Sequence, residues 1–143
     1  MFMTPRFVAL VMACATVLAV SPVHAGPLVV VTHSESAIGV LTREQVSRIF
    51  LGRLTLLPTG ERVTVVEVES LRERFYQKLL GRNLAEVNAY WARLQFSGRT
   101  QPPLRLASNQ DVLAAVLAER NVVTYVDADL LDPRAKVVFK LEP

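Results

Sequence analysis

Apolar positions in this chain change period several times, and each change marks an element. Leu28-Val29-Val30-Val31-Thr32 is a short unbroken apolar run, the pattern of a strand covered on both faces. Thr42 with Gln45 forms a capping box, after which Val46, Ile49 and Phe50 fall on one helical face and Gly52 closes the helix. Pro58-Thr59-Gly60 turns the chain into a second strand over residues 63–68. Ser70 with Glu73 predicts the next cap, ahead of Leu71, Phe75, Leu79 and Leu80, with Gly81 past the end. Asn83 with Glu86 repeats the signal before Val87, Tyr90, Trp91 and Leu94. Gly98 and Pro102-Pro103 interrupt the pattern, and Ser108 with Asp111 opens a fourth helix carrying Val112, Val116 and Leu117. Strands over 122–126 and 137–141 finish the chain.

The predicted order is β-α-β-α-α-α-β-β. Strands alternating with helices imply a three-layer α/β domain with right-handed crossovers, a mixed sheet of about four strands, and ligands favoured at the carboxyl ends of strands. No linker, internal repeat or low-complexity tract divides residues 26–143, which read as one domain.

Composition changes the picture only after the first 25 residues are set apart. The chain has 143 residues, 51% hydrophobic, with 16 Lys+Arg against 13 Asp+Glu and one Cys. Met1 to Ala25 contains that Cys (Cys14), every Met and a single charged residue, Arg6. The apolar stretch from Phe7 to Val20 is short of the ~20 residues a spanning helix needs. Pro22 and then Val23-His24-Ala25 complete the layout of a secretory signal peptide, cut after Ala25. Residues 26–143 then carry a charge of +2, a single His (His33) and no Cys, so an exported, periplasmic protein stable without disulfides is expected. The pI near 9.4 does not point to nucleic acid, because the basic residues are interspersed with acids.

Enzyme signatures are missing. There is no G-x-S-x-G elbow and no P-loop; residues 26–143 offer only His33 as a triad base and no Cys nucleophile, and one His with scattered carboxylates does not supply a zinc site. No metal and no cofactor is expected. Glu67 and Glu69 flank Val68 and read as a solvated strand end, and Tyr90, Trp91 and Phe96 read as core at helical spacing. Binding features are better represented. Thr32-His33-Ser34-Glu35-Ser36 follows the first strand, where it is either a solvated loop or part of a ligand site. Ser70 stands between the second strand and a helix, where a hydroxyl and free N–H groups suit an anion or simply a cap. Arg99, beside Gly98, offers a guanidinium fork for carboxylate or phosphate.

Leu41-Thr42-Arg43-Glu44-Gln45 and Ile49-Phe50-Leu51-Gly52-Arg53 resemble the L-T-x-x-Q…I-F-x-G-x segment of phosphate-type periplasmic solute-binding proteins. Tyr90-Trp91-Ala92-Arg93-Leu94-Gln95-Phe96-Ser97-Gly98 with Pro102-Pro103 resembles the small, single-domain members of that superfamily, and Val122–Val126 falls where they carry an Ile-Gly-Tyr-Val strand, with Thr124 for the Gly. The resemblance implies one lobe of a type 2 periplasmic-binding-protein fold. It also implies a small anion such as phosphate as ligand, with an ABC transporter or membrane sensor as partner. Thr32, Ser34, Ser70, Arg72 and Arg99 are the residues expected to hold the anion. Two features depart from the family pattern. Residues 26–143 amount to about one lobe of a two-lobed clamp, so the open face is expected to meet a partner or a second copy in a homodimer. Acids, Glu67 and Glu69, also stand where the family's site has a cation.

Overall fold

The computed structural model describes residues 26–142; the signal peptide expected over 1–25 lies outside them. The elements in chain order are β1 (Leu28–His33), α1 (Arg43–Phe50), β2 (Thr64–Val68), a 3-10 turn (Glu69–Leu71), α2 (Arg72–Leu80), α3 (Leu84–Phe96), β3 (Leu104–Leu106), α4 (Asn109–Ala118), β4 (Val122–Asp127), a second 3-10 turn (Ala128–Leu130) and β5 (Ala135–Lys140). They build a mixed α/β fold around one five-stranded sheet of order β3-β2-β4-β1-β5. β2 runs parallel to β3 and β4, while β1 is antiparallel to β4 and β5.

The sheet has one strand more than the sequence pattern predicts. β3 is three residues, Leu104-Arg105-Leu106, mostly exposed at the sheet edge, and follows Pro102-Pro103. Two apolar residues around an arginine are too short a pattern to register as a strand, and only pairing with Val66–Val68 defines it.

Two of the predicted capping boxes form in full. The Thr42 side chain accepts from the Gln45 N–H at 3.2 Å while Gln45 accepts from the Thr42 N–H at 2.9 Å, and Asn83 with Glu86 does the same at 2.9 and 3.0 Å. Ser108 caps α4 by accepting from the Asp111 N–H at 3.1 Å. The box expected at Ser70 and Glu73 does not form. The chain leaves β2 through the 3-10 turn, so Ser70 is already inside a helical turn and α2 starts from Leu71 without a side-chain cap.

Gly52 closes α1 as predicted. Its φ of 69° lets the N–H groups of Gly52 and Arg53 reach back to the carbonyls of Ile49 and Arg48 at 3.1 and 2.8 Å. A Cβ at that position would also lie 2.9 Å from the Trp91 ring.

One core joins the layers. All of Leu28–Thr32 in β1 and Val122–Val126 in β4 are buried, as unbroken apolar runs covered on both faces should be. Phe75 of α2 stacks on Tyr125 of β4 with centroids 3.8 Å apart and planes at 12°, and Phe50 of α1 lies 4.7 Å from Phe75. Trp91 is buried and Tyr90 half-buried, but Phe96 is 98% exposed, against the core position expected of it. It is the last residue of α3, and no described residue covers it.

Candidate functional site

Sheet topology locates the crevice. From β2 the chain passes through α2 and α3 to β3 on one side; from β3 it passes through α4 to β4 on the other. Right-handed crossovers in opposite directions put their helices on opposite faces, and the carboxyl ends of β2 and β4 then flank a topological switch point. Ligands of open α/β sheets bind there. The residues at this edge are Glu67 and Glu69 on and after β2, Ser70 in the 3-10 turn, Arg72, Arg74 and Tyr76 on α2, Arg105 on β3 and Asp127 ending β4.

At the centre is a buried ion pair. Arg72 is 1% exposed and Glu67 fully buried; Arg72 Nε donates to Glu67 Oε2 at 3.0 Å. The remaining guanidinium nitrogens are engaged as well. Nη2 donates to Asn88 Oδ1 of α3 at 3.1 Å, and Nη1 lies 3.7 Å from Glu69. The Tyr76 hydroxyl donates to the other Glu67 oxygen. Arg74 pairs with Asp127 across the mouth of the crevice, and Arg105 Nε lies 3.8 Å from Glu69. Each of the three arginines at this edge therefore faces a carboxylate of the same edge.

Burial pushes the Glu67 carboxyl above its ordinary value, against the Tyr76 hydrogen bond and the Arg72 charge, which pull it down. Native Glu67 thus holds its proton to higher pH than the unfolded chain does. Its contribution to stability is full below about 4.5 and is lost as pH rises through the raised native value. Compared with wild type, Glu67→Gln is expected to lack this downward slope of unfolding free energy above pH 4.5, read by denaturant titrations across pH. Identical pH profiles would show that Glu67 titrates as an ordinary carboxylate.

Burial also raises the Tyr76 and Tyr125 hydroxyls, with the Glu67 charge adding to the shift of each. Both rings are buried, but their hydroxyls differ: Tyr76 donates to Glu67, whereas the Tyr125 hydroxyl has no hydrogen-bond partner among the described residues. Tyr76→Phe, which strips a donor from a buried carboxylate, is expected to cost ~1.5–3 kcal/mol. Tyr125→Phe removes an unsatisfied group and keeps the ring, so its unfolding midpoint should equal or exceed that of wild type. Equal losses for the two substitutions would contradict this difference.

The five residues expected to bind an anion do not converge. Thr32 is fully buried inside β1, not in a loop, and its hydroxyl donates to the Val122 carbonyl at 2.9 Å. It pairs with Val123, at the beginning of β4, as Thr64 of β2 does with Val122. Ser34 is exposed just past it. Arg99 is exposed after α3, in the loop whose Thr100 and Gln101 share a cleft with Thr64. These three sit toward the edge where β2 and β4 start; Ser70 and Arg72 sit where those strands end, about 15 Å away at ~3.3 Å per strand residue. Arg72, being buried and fully paired, offers no free donor to a solute. Ser70 is exposed at the switch point.

Glu67 is the residue that sequence reading misjudged most. It is not a solvated strand end; Glu69 is. The available signal is positional. β2 lies inside the sheet with parallel neighbours, so a Glu between Val66 and Val68 faces a helix layer and needs a partner there, which Arg72 and Tyr76 supply.

No family model and no curated protein matches the chain. Solved structures are. An ABC-type phosphate transport receptor from Vibrio cholerae superposes with a TM-score of 0.61 at 19% identity over 78% of this chain and 45% of its own. A putative phosphate ABC transporter substrate-binding protein from Clostridium perfringens, solved with bound phosphate, superposes at 0.63 and 18% identity over 78% of this chain and 44% of its own. The likeness is one of fold, that of periplasmic binding proteins, and this chain spans less than half the length of either.

Proposed function

We propose that this chain is an exported, non-enzymatic solute-binding-like protein of the phosphate-transporter type, working with an ABC transporter or membrane sensor. Small anions are its ligand class, met at Ser70 and the start of α2. The supporting observation is the topological switch point between β2 and β4, the binding crevice of such a sheet, in a fold shared with two phosphate-transport receptors. Export rests on the leader pattern of residues 1–25, and among the described residues no helix is long and apolar enough to cross a membrane.

The charge pattern bears on affinity. An anion at ~5 Å from Glu69 is opposed by about 3 kcal/mol per charge at an effective dielectric of ~20, before salt screening. The arginines that would offset this already hold carboxylates. This lobe by itself therefore binds phosphate weakly. The same self-pairing favours a second reading, an accessory module that docks on a membrane partner without tight ligand binding.

Amide chemical shifts separate the two readings. Titration with phosphate and sulfate should move the amides of Glu69–Arg72 and Asp127–Ala128, and ligand at a hundredfold excess over its Kd should add ~2.7 kcal/mol to the unfolding free energy. No movement at those amides at millimolar anion rejects solute binding there and leaves the docking module. For export, the N-terminus recovered from the periplasmic fraction should be Gly26.

A further inference from the structure

Away from the paired charges of the crevice, a cavity of about 590 Å³ opens between α1 and α3. That volume lies within the ~300–1,000 Å³ of small-molecule sites. Four arginines line it: Arg48 from α1, Arg53 just past its end, Arg82 before α3 and Arg93 from α3. Helical spacing sets the neighbours of Arg48 and Arg93. Glu44 and Arg48 are four apart on α1, and Glu86, Tyr90 and Arg93 are four and three apart on α3, so each set lies on one face.

Tyr90 organises the cavity wall. Its hydroxyl donates to the Leu51 carbonyl at 2.6 Å, tying α3 to the end of α1. The Arg53 guanidinium stands over the same ring, 5.7 Å from its centroid, a cation–π arrangement that limits where it can go. The Arg53 backbone is fixed too, by the bond from its N–H to the Arg48 carbonyl at 2.8 Å.

The cavity keeps a net positive charge, four arginines against Glu44 and Glu86. None of the four arginines forms an ion pair among the described residues, whereas every arginine at the crevice does. Two carboxylates line the cavity with them, and that of Glu86 already accepts the Asn83 N–H at 3.0 Å in its capping box. Arg48 and Arg93 lie in the last turns of their helices, where a cation complements the dipole. That accounts for two of the four, the Tyr90 ring holds Arg53, and Arg82 has neither an ion pair nor a helix end to complement among the described residues.

We propose that this cavity is a second binding site, which takes a small multivalent anion carrying two or more phosphoryl or carboxylate groups. Guanidinium forks recognise both groups by paired N–H donors, and four of them around one concavity suit an anion with several such groups better than a single orthophosphate. The proposal goes beyond solute binding at the crevice and does not depend on it.

Calorimetric titration of the purified protein with tripolyphosphate, citrate and orthophosphate tests it, with amide shifts recorded in parallel. A multivalent anion should bind at least tenfold more tightly than orthophosphate and move amides of Ser47–Leu51 and Tyr90–Arg93. Whichever of tripolyphosphate and citrate binds more tightly identifies the preferred group. Arg48→Gln with Arg93→Gln should weaken binding tenfold or more, while the unliganded unfolding midpoint falls only by the small loss of two exposed helix-end cations, since neither side chain forms an ion pair among the described residues. Arg134→Gln, at an arginine paired with Asp132 elsewhere, should leave binding unchanged. Undiminished binding in the double variant, equal weakening by Arg134→Gln, or no movement of the α1 and α3 amides overturns the proposal. Movement confined to Glu69–Arg72 belongs to the crevice and counts against the cavity alone.

Discussion

Arg72→Met is expected to lose ~3–5 kcal/mol of folding stability, roughly a fifth or more of the ~5–15 kcal/mol a domain commonly has. The substitution keeps an unbranched chain of similar reach and removes the charge, leaving the Glu67 carboxylate in the core with only the Tyr76 hydroxyl. The Asn88 carbonyl oxygen loses its donor as well, which loosens α2 from α3. Most of the loss comes from stranding a charge, so Glu67→Gln combined with Arg72→Met should be more stable than Arg72→Met alone. The single-variant loss should also shrink toward acid pH, where Glu67 is protonated in both folded and unfolded states. Denaturant unfolding of the three variants at neutral and acid pH checks this. A loss below ~1 kcal/mol for Arg72→Met would mean the pair behaves as an exposed one.

Phe75→Ala should cost a similar ~3–5 kcal/mol for a different reason. Phe75 is fully buried and is the ring on which the α1–α2 layer meets the sheet. It stacks on Tyr125 at 3.8 Å, tilts against Phe50 at 4.7 Å and meets Tyr76 edge-on at 5.2 Å. Truncation removes the transferred area, leaves a cavity among three large rings that cannot collapse into it, and forfeits aromatic pair terms of ~0.5–1.5 kcal/mol each. Phe75→Leu keeps most of the volume and should lose distinctly less. A midpoint for Phe75→Ala within about 1 kcal/mol of wild type would show that α2 is held chiefly by its polar network. No pH dependence is expected of this loss, and that distinguishes it from Arg72→Met.

Legibility followed the range of the interactions. Thr42 with Gln45 and Asn83 with Glu86 are reciprocal bonds within four residues, so the pattern and the structure agree. Gly52 needed only the left-handed conformation that ends α1. Ser70 with Glu73 has the same pattern as those boxes, but the exit from a sheet strand imposed a 3-10 turn, and the cap was lost. Phe96 continues an apolar helical face past the point where anything covers it. For Ser70 and Phe96 the deciding neighbour lies in another element, which local periodicity does not record.

The anion site divides in the same way. Hydroxyls and arginines suited to an anion are visible in the sequence as residue types, and so is the alternation that builds an α/β sheet. Whether those residues meet depends on β1 running antiparallel to β4, which puts Thr32 and Ser34 at the edge opposite Ser70. Whether an arginine is free depends on burial: Arg72 is committed to Glu67, while Arg48, Arg53, Arg82 and Arg93 gather around one cavity from separate turns of the chain. Short-range hydrogen bonding and hydrophobic period are properties of neighbouring residues, and the sequence by itself determined them: every strand but β3, the helices and three of their caps. Charge pairing and convergence join residues far apart along the chain, and only the packing of sheet and helices decided which charges are spent and which remain for a ligand.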